Sequence, residues 1–487
     1  MRRRRPQSLA FGDQVPPSRG PATHPAVNEA IRVSLISLGC ARNLVDSEVL
    51  LGHVVEEGLQ VVKEPGDADV VVVNTCGFID TAKQESIDTI LSVAKLKDDG
   101  DLKGVIAVGC LAQRYGDELR QQVPELDAVF GLSDYSGVPA VVRKIVNGSE
   151  RRWVAPVDGG KPKGPRSDTK RFLLTPKSFA YLRISEGCDH TCTFCAIPKM
   201  RGKNRSKPID VLVEEAKNLA AAGVQELVVV AEDSTAYGLD TTRKRQIHVL
   251  LEQLGEVEGI RWIRLMYAYP HTVAPELTTF LREHPKAVKY LDIPIQHISG
   301  PMLKAMKRGV SGEQVRGILD RLRDEVPGIA VRSTLIAGFP GESEADFQAA
   351  KDLVTSYRFE RLGVFPYSQE EGTPAFDMPG QVPQKVAEAR VAELMELQRG
   401  VMRAFHRSLV GRTLPVLVDG YDADAKRVVG RTWADAPEVD GRVLLPKGCA
   451  EPGQMVDVTI TKANDYEVEG ELAAVETAAK GKAKKQA

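Results

Sequence analysis

Apolar runs recur along the first third of the chain, and each closes on a cysteine. Residues 31–38 run into Gly39-Cys40, residues 70–73 into Asn74-Thr75-Cys76, and residues 105–108 into Gly109-Cys110. Helical patterns follow, for example at 46–57 and 80–95. That alternation predicts βαβ units and a parallel sheet across residues 31–147. The carboxyl ends of parallel strands lie along one edge, where ligands bind. The topology is therefore expected to bring Cys40, Cys76 and Cys110 to the same edge, although they are far apart in sequence.

After a linker rich in Gly, Pro and Lys (148–172), the alternation resumes over residues 173–405. Strand-like runs at 179–185, 226–231, 263–266, 290–293, 331–336 and 361–364 are separated by helical segments such as 209–222 and 314–324. Repeated βα units over that length predict a full or partial TIM-like barrel, with functional residues at the carboxyl ends of its strands. Those ends carry Glu232-Asp233-Ser234, Pro294-Ile295-Gln296-His297 and Gly338-Phe339-Pro340-Gly341-Glu342. Residues 406–473 change character. Short β-rich runs (413–418, 427–431, 442–445, 454–460) between Gly, Pro and Asp turns predict a small five-stranded, OB-like barrel. The expected class is α/β: a parallel βαβ domain, a central (β/α) barrel and a small terminal β-barrel.

Composition narrows the function classes. Of 487 residues, 43% are hydrophobic and 27% charged, which is ordinary for a soluble globular protein. No apolar run reaches the roughly 18 residues of a membrane span. A net charge of −1 gives the whole protein no long-range attraction for nucleic acid. Seven cysteines in a chain of this length fit metal ligation in a reducing, cytoplasmic setting better than disulfides. The run Arg2 to Arg5 is not followed by the apolar core of a signal peptide. With the Pro/Gly/Ser-rich stretch after it, it predicts a disordered arm over residues 1–30, and the Lys-rich residues 474–487 predict a disordered tail.

The sharpest chemistry lies at Cys188, Cys192 and Cys195, in C-x3-C-x2-C spacing directly after the run 179–185. So short a loop turns three sulfurs toward one point. Structural zinc sites and ordinary electron-transfer clusters usually take four protein ligands. Three thiolates around a cubic 4Fe-4S cluster leave one iron open to a small molecule. A zinc or disulfide loop is the competing reading, and the tight spacing and the preceding strand argue against it. The loop, with Phe194 just before its last cysteine, resembles the signature of the radical S-adenosylmethionine (SAM) enzymes. The resemblance implies that the open iron is chelated by the amino and carboxylate groups of SAM, and that an electron cleaves the sulfonium to a 5′-deoxyadenosyl radical. It further implies SAM contacts from the strand-end loops: Phe194, Glu232, Asp233, Gln296, Arg332, Gly338 and Gly341. Arg332 is equally open to an ion pair, and His297 is assigned no catalysis.

Residues 37–48, Ser37-Leu38-Gly39-Cys40-Ala41-Arg42-Asn43-Leu44-Val45-Asp46-Ser47-Glu48, resemble the opening motif of the methylthiotransferases, a radical SAM family whose N-terminal domain holds an auxiliary cluster. A single cysteine after a strand is usually a buried small hydrophobe, but three at equivalent positions fit a second 4Fe-4S cluster on Cys40, Cys76 and Cys110. Residues 430–441 resemble the TRAM domain of RNA-modifying enzymes; Cys449, in the same terminal domain, is expected to be structural.

Two branches of the family compete. One modifies isopentenyl-adenosine in tRNA, the other the β-carbon of an aspartate in the small-subunit ribosomal protein S-twelve. From Ser408 to Ala473 the chain has 7 Lys and Arg against 12 Asp and Glu. An acidic module suits a basic ribosomal protein better than RNA phosphates. Cys40-Ala41-Arg42-Asn43 also departs from the Cys-Gln-Met-Asn usual in the tRNA branch. Residues 181–188, 292–297 and 333–342 resemble the protein-modifying branch too. Glu232 departs from the family, which more often has Gln there. The resemblance thus implies methylthio transfer to a ribosomal-protein aspartate, with SAM, two 4Fe-4S clusters and an electron-donor protein. tRNA enters as partner only in the alternative, and a non-catalytic RNA-binding scaffold with structural clusters stands as a third reading.

Overall fold

The computed structural model describes residues 30–100, 102–132, 135–148, 153–154 and 168–473. The expected tail, most of the linker and all of the expected arm but Ala30 lie outside the described residues. In the first domain β1 (Arg32–Ser37), β2 (Gln60–Val61), β3 (Val70–Thr75), β4 (Gly104–Gly109), β5 (Ala128–Val129) and β6 (Trp153–Val154) form one parallel sheet ordered β2-β1-β3-β4-β5-β6. β3 and β4 are buried at every position, because crossover helices cover both faces of a parallel sheet. The helices are α1 (Ala41–Glu56), α2 (Asp80–Ala94), α3 (Leu96–Asp99), α4 (Cys110–Gln122) and α5 (Val138–Val146). α1 begins earlier than its apolar pattern suggests, since Cys40 itself occupies the N-cap.

The central domain holds β7 (Phe179–Arg183), β8 (Ser185–Glu186), β9 (Arg205–Ser206), β10 (Glu226–Val230), β11 (Trp262–Leu265), β12 (Ala287–Asp292), β13 (Ala330–Ala337) and β14 (Arg361–Pro366). Six of them form a parallel sheet ordered β14-β13-β12-β11-β10-β7. This sheet does not close, so the partial barrel is the form realised. Antiparallel pairing of β8 with β9 pins the base of the loop that carries Cys188, Cys192 and Cys195. On one face of the large sheet Leu182, Val229 and Leu291 pack against helices. On the other, Tyr181, Val228, Val230 and Tyr290 meet Leu44 and Val45 of α1 and Ala434 and Ala436 of the last domain. The first and third domains together therefore cover the inner face of the central one.

In the third domain β15 (Thr413–Asp422), β16 (Arg427–Arg431), β17 (Arg442–Leu445), β18 (Met455–Ala463) and β19 (Glu467–Leu472) close a barrel ordered β15-β16-β17-β19-β18. Its charges correct the simple count. Asp435 pairs with Arg361, Asp440 lies 3.3 Å from Arg332, and Arg431 reaches Glu226 at 2.6 Å. Tyr181 donates to Glu438 at 3.0 Å. These groups dock the barrel onto the central sheet instead of facing a partner. Among the described residues Asp424, Glu451, Asp457 and Glu471 are the exposed acids of this domain without an ion pair. No helix of the described residues is long and apolar enough to cross a membrane.

A buried charge network joins the first two domains. Asp46 of α1 accepts from Arg183 at 2.5 Å with one oxygen and from Arg201 at 2.7 Å with the other. Arg183 also lies 2.6 Å from Asp168, which Lys207 reaches at 2.6 Å. Burial would raise the Asp168 carboxyl, but Arg183 and Lys207 outweigh it and hold it well below the usual carboxylate range. Removing one partner of such a network strands a buried charge and costs about 3–5 kcal/mol. Asp168→Ala should lose about that much in urea unfolding at pH 7. Because the folded carboxyl is depressed, its contribution is full above about pH 4 and fades as pH falls below it. The gap between variant and wild type should accordingly narrow on acidification.

Candidate active site

The three cysteines of the first domain converge as the βαβ topology requires. Gly39 and Gly109, each directly before a cysteine, both adopt φ of +95°. That left-handed turn swings Cys40 and Cys110 off their strands into the starts of α1 and α4, and it favours glycine. The approach is close: a Cβ at Gly39 would stand 2.9 Å from the Cys76 Cβ and 3.1 Å from its Sγ. Asn43 knits the edge together. Its Nδ2 donates to the carbonyls of Leu38 and Thr75, both at 3.0 Å, and its Oδ1 accepts from the Cys110 thiol at 3.3 Å and from Arg201 at 2.9 Å.

In the central domain the loop from Gly187 to Asn204 contains α6 (Ile197–Arg201). The Cys188 N–H donates to Gly202 O at 3.0 Å, and the Cys195 N–H to Cys192 O at 3.1 Å. Thr193 ties the loop to the barrel through Ala305 O (2.9 Å). A cavity of about 230 Å³ opens here, lined by Cys188, Cys192, Cys195, Phe194, His190, Glu232, Tyr267, Tyr269, Gln296 and Arg308 of the central domain. Arg42 and Phe78, neighbours of Cys40 and Cys76, complete its wall. Loops from both cysteine sets thus border one chamber. Tyr267 (φ +61°) and Gln296 (φ +73°) on that wall are non-glycine residues held in the left-handed region, strain of the kind that gathers at working sites.

Charge is arranged around the thiols. Burial pushes Cys76 and Cys188 up to about 12 and Cys195 up to about 11. Burial pushes Cys40 up as well, but Arg42 and Arg201 outweigh it and leave Cys40 below the ordinary thiol value. The Arg201 Nη2 lies 3.5 Å from the Cys110 Sγ, and the Arg308 Nη1 lies 3.3 Å from the Cys192 Sγ. Each set of sulfurs thus has a guanidinium in contact, ready to offset thiolate charge.

Of the residues expected to contact SAM, Phe194, Glu232 and Gln296 line the chamber. Asp233 stands one step back: it takes a hydrogen bond from Thr235 N (2.9 Å) and holds His190 Nε2 at 2.7 Å. Arg332, Gly338 and Gly341 do not line it. Arg332 is drawn to Asp292 (2.9 Å) and Asp440 at the third-domain interface. Gly338 packs against Ala387, where a Cβ would come within 2.3 Å, and Gly341 donates to Gly380 O at 2.8 Å. His297 is a buried structural histidine, 3.1 Å from Glu342. Cys449 lies against the core of the third domain. The expectations missed Arg42, Arg201, Arg308, His190, Tyr267 and Tyr269; His190 inside the cysteine loop, followed over the ring of Tyr269 at 3.7 Å, was the one signal in reach.

The chamber fits the groups implied by the resemblance. Both oxygens of Glu232 and the Oε1 of Gln296 are buried without a hydrogen-bond donor, although Arg42 and Arg201 lie 3.5 and 3.7 Å from Glu232 Oε1; they leave acceptors for an ammonium such as the amino group of SAM. Among the described residues no group of three His, Cys, Asp or Glu is arranged to hold a single metal ion. A 4Fe-4S cluster would make a different demand, one thiolate to each of three irons.

The family model described as the radical SAM superfamily matches residues 182–354, the uncharacterized protein family UPF0004 matches residues 32–131, and the TRAM domain matches residues 410–473. The ribosomal protein uS12 methylthiotransferase RimO of Myxococcus xanthus is 46% identical over 435 residues, 89% of this chain and 90% of that one. RimO of Lachnoclostridium phytofermentans is 44% identical over 441 residues, 90% of this chain and 99% of its own. Among solved structures, the radical SAM methyltransferase TsrM of Kitasatospora setae, with cobalamin and a [4Fe-4S] cluster bound, superposes with a TM-score of 0.51 at 15% identity, over 71% of this chain and 77% of that one. That likeness is one of fold. On identity sustained along nine-tenths of its length, the chain belongs to the RimO family of radical SAM methylthiotransferases.

Proposed function

We propose that the chain adds a methylthio group to the β-carbon of an aspartate in ribosomal protein uS12. The observation that carries the reading is the shared chamber, lined by Cys188, Cys192 and Cys195 together with Arg42 and Phe78, each two residues from a cysteine of the other set. In this reading Cys188, Cys192 and Cys195 hold a SAM-binding cluster, and Cys40, Cys76 and Cys110 hold a second. When bound, these groups supply the electron, the carbon-centred radical and the methylthio group; the electron comes from a donor protein and the methyl group from a second SAM. An aspartate β-C–H is unactivated, so no side chain in the chamber could remove its hydrogen as a general base, and a cofactor must carry that step.

The chain's own residues bind, orient and shield. Glu232 and Gln296 offer acceptors to SAM, and Phe194 gives its apolar part a ring to pack on. Arg201 and Arg308 stabilise thiolates in a site where burial opposes them. Arg42 and Phe78 of the first domain wall part of the chamber, which narrows the access of solvent to a radical formed there.

Mass spectrometry of uS12 and of tRNA nucleosides from cells with and without the gene tests the reading. A methylthio increment lost from the uS12 aspartate alone is the expected outcome. Loss from tRNA alone would reject it.

A further inference from the structure

An aspartate whose β-carbon reacts must bring its carboxylate into the chamber, one bond from the reacting atom. A buried carboxylate without a cationic partner is costly, so the wall must supply one. Its charged residues include Arg42, Arg308 and Glu232. Arg308 is already committed: Nη1 to the Cys192 Sγ (3.3 Å), Nη2 to Pro294 O (2.6 Å), and its face over the Tyr269 ring at 4.1 Å. Arg42 is not. It lies in the first turn of α1, stacked on the Tyr267 ring at 4.8 Å, and makes one hydrogen bond, from Nη1 to Ala231 O at 2.7 Å. Its buried Nε has no hydrogen-bond partner. Glu232 stands 3.5 Å from that Nε, and neither of its oxygens takes a hydrogen bond. Most of the five N–H donors of the fork are therefore unspent. Tyr267, on which Arg42 rests, is itself held at positive φ, so the ring that aims the guanidinium is fixed by strained backbone.

We propose that Arg42 recognises the substrate carboxylate through its guanidinium fork and so selects aspartate over asparagine at the reacting position. This rests on the reading of a uS12 aspartate as substrate. A planar fork pairs with a carboxylate through two parallel hydrogen bonds, which an amide cannot accept. The placement suits the chemistry, because Arg42 lies within electrostatic reach of Cys40 in one set and Cys195 in the other. The competing role for the same guanidinium is to offset thiolate charge at Cys40.

The test measures binding of two fluorescent peptides, carrying the reacting uS12 position as aspartate or as asparagine, to the anaerobically reconstituted full chain. Wild type should favour the aspartate peptide by about 10-fold or more. Arg42→Met should abolish that preference while the chain still binds iron. Should the Met variant lose iron, Arg42→Lys carries the test: it keeps the charge but lacks the fork, and is expected to retain iron with a preference reduced several-fold. An Arg42→Met protein that still prefers aspartate, or an Arg42→Lys protein with an undiminished preference, overturns the inference alone. A wild-type protein blind to the difference overturns the substrate reading and the inference with it.

Discussion

Replacing Cys188 by alanine is expected to reduce 5′-deoxyadenosine formation to the uncatalysed background. On the proposed reading a site with three protein ligands has no spare: two remaining thiolates could not hold a cubic cluster at three corners, and the SAM-binding iron would be lost with it. The loop is pinned by β8 and β9 and by main-chain bonds at Gly202 and Cys192, so a missing sulfur leaves its backbone standing. The loss should therefore be specific. Iron content should fall by about four atoms per chain, with far-ultraviolet circular dichroism unchanged. Cys449→Ala is the matched control, since that residue packs in the third domain and should alter neither number. Deoxyadenosine is measured by chromatography after chemical reduction in the presence of SAM. Normal amounts from Cys188→Ala would remove the radical SAM assignment of this loop.

Cys76→Ala should produce a different defect: some deoxyadenosine, but no methylthiolated product. Cys76 sits on the first domain, where its N–H takes the Ser86 hydroxyl at 3.0 Å as acceptor, and it lies among Cys40 and Cys110. None of its hydrogen bonds reaches the loop of Cys188. The cost falls on the second cysteine set, again with about four irons lost per chain. Deoxyadenosine and methylthiolated peptide, quantified from the same reaction, separate the two activities. Methylthiolation at the wild-type level by Cys76→Ala would mean that the second set holds no reactive cluster.

Much of this arrangement could be read from local pattern. Three apolar runs ending on cysteines forecast the edge where Cys40, Cys76 and Cys110 meet, because strand direction and crossover topology leave few alternatives. The C-x3-C-x2-C loop was legible for the same reason, its ligands being confined to eight residues. What escaped was built from distant segments. Arg42, Arg201 and Arg308 converge on the thiols from three parts of the chain, and no spacing rule connects them. Asn43, Asp46, Ser47 and Glu48 entered only as letters of the motif at residues 37–48; their buried polar groups hold domains and strands together, which a motif does not show. Gly338 and Gly341 stand at the right strand end but do not line the chamber: Gly338 meets Ala387 of the helix Gln384–Leu409, and Gly341 donates to Gly380 O. The acid count of the third domain overstates its outward charge, because a count cannot say which way a carboxylate faces, and Asp435 and Asp440 face inward; the protein-modifying branch it favoured is the one the RimO relatives support. Its last strand, Glu467–Leu472, was hidden by glutamates at alternate positions on the wet side of a barrel.

Asp46 binds Arg183 with one oxygen and Arg201 with the other, out of solvent, across the seam between the first two domains. Sliding the domains apart would strand the buried Asp46 carboxylate and take one partner from each of Arg183 and Arg201, so the seam behaves as a weld and not as a hinge. The distance between the two cysteine sets is then set when the chain folds and stays constant through turnover. Reach becomes a criterion of selection: a segment enters the chemistry only if its side chain spans a gauge of fixed length.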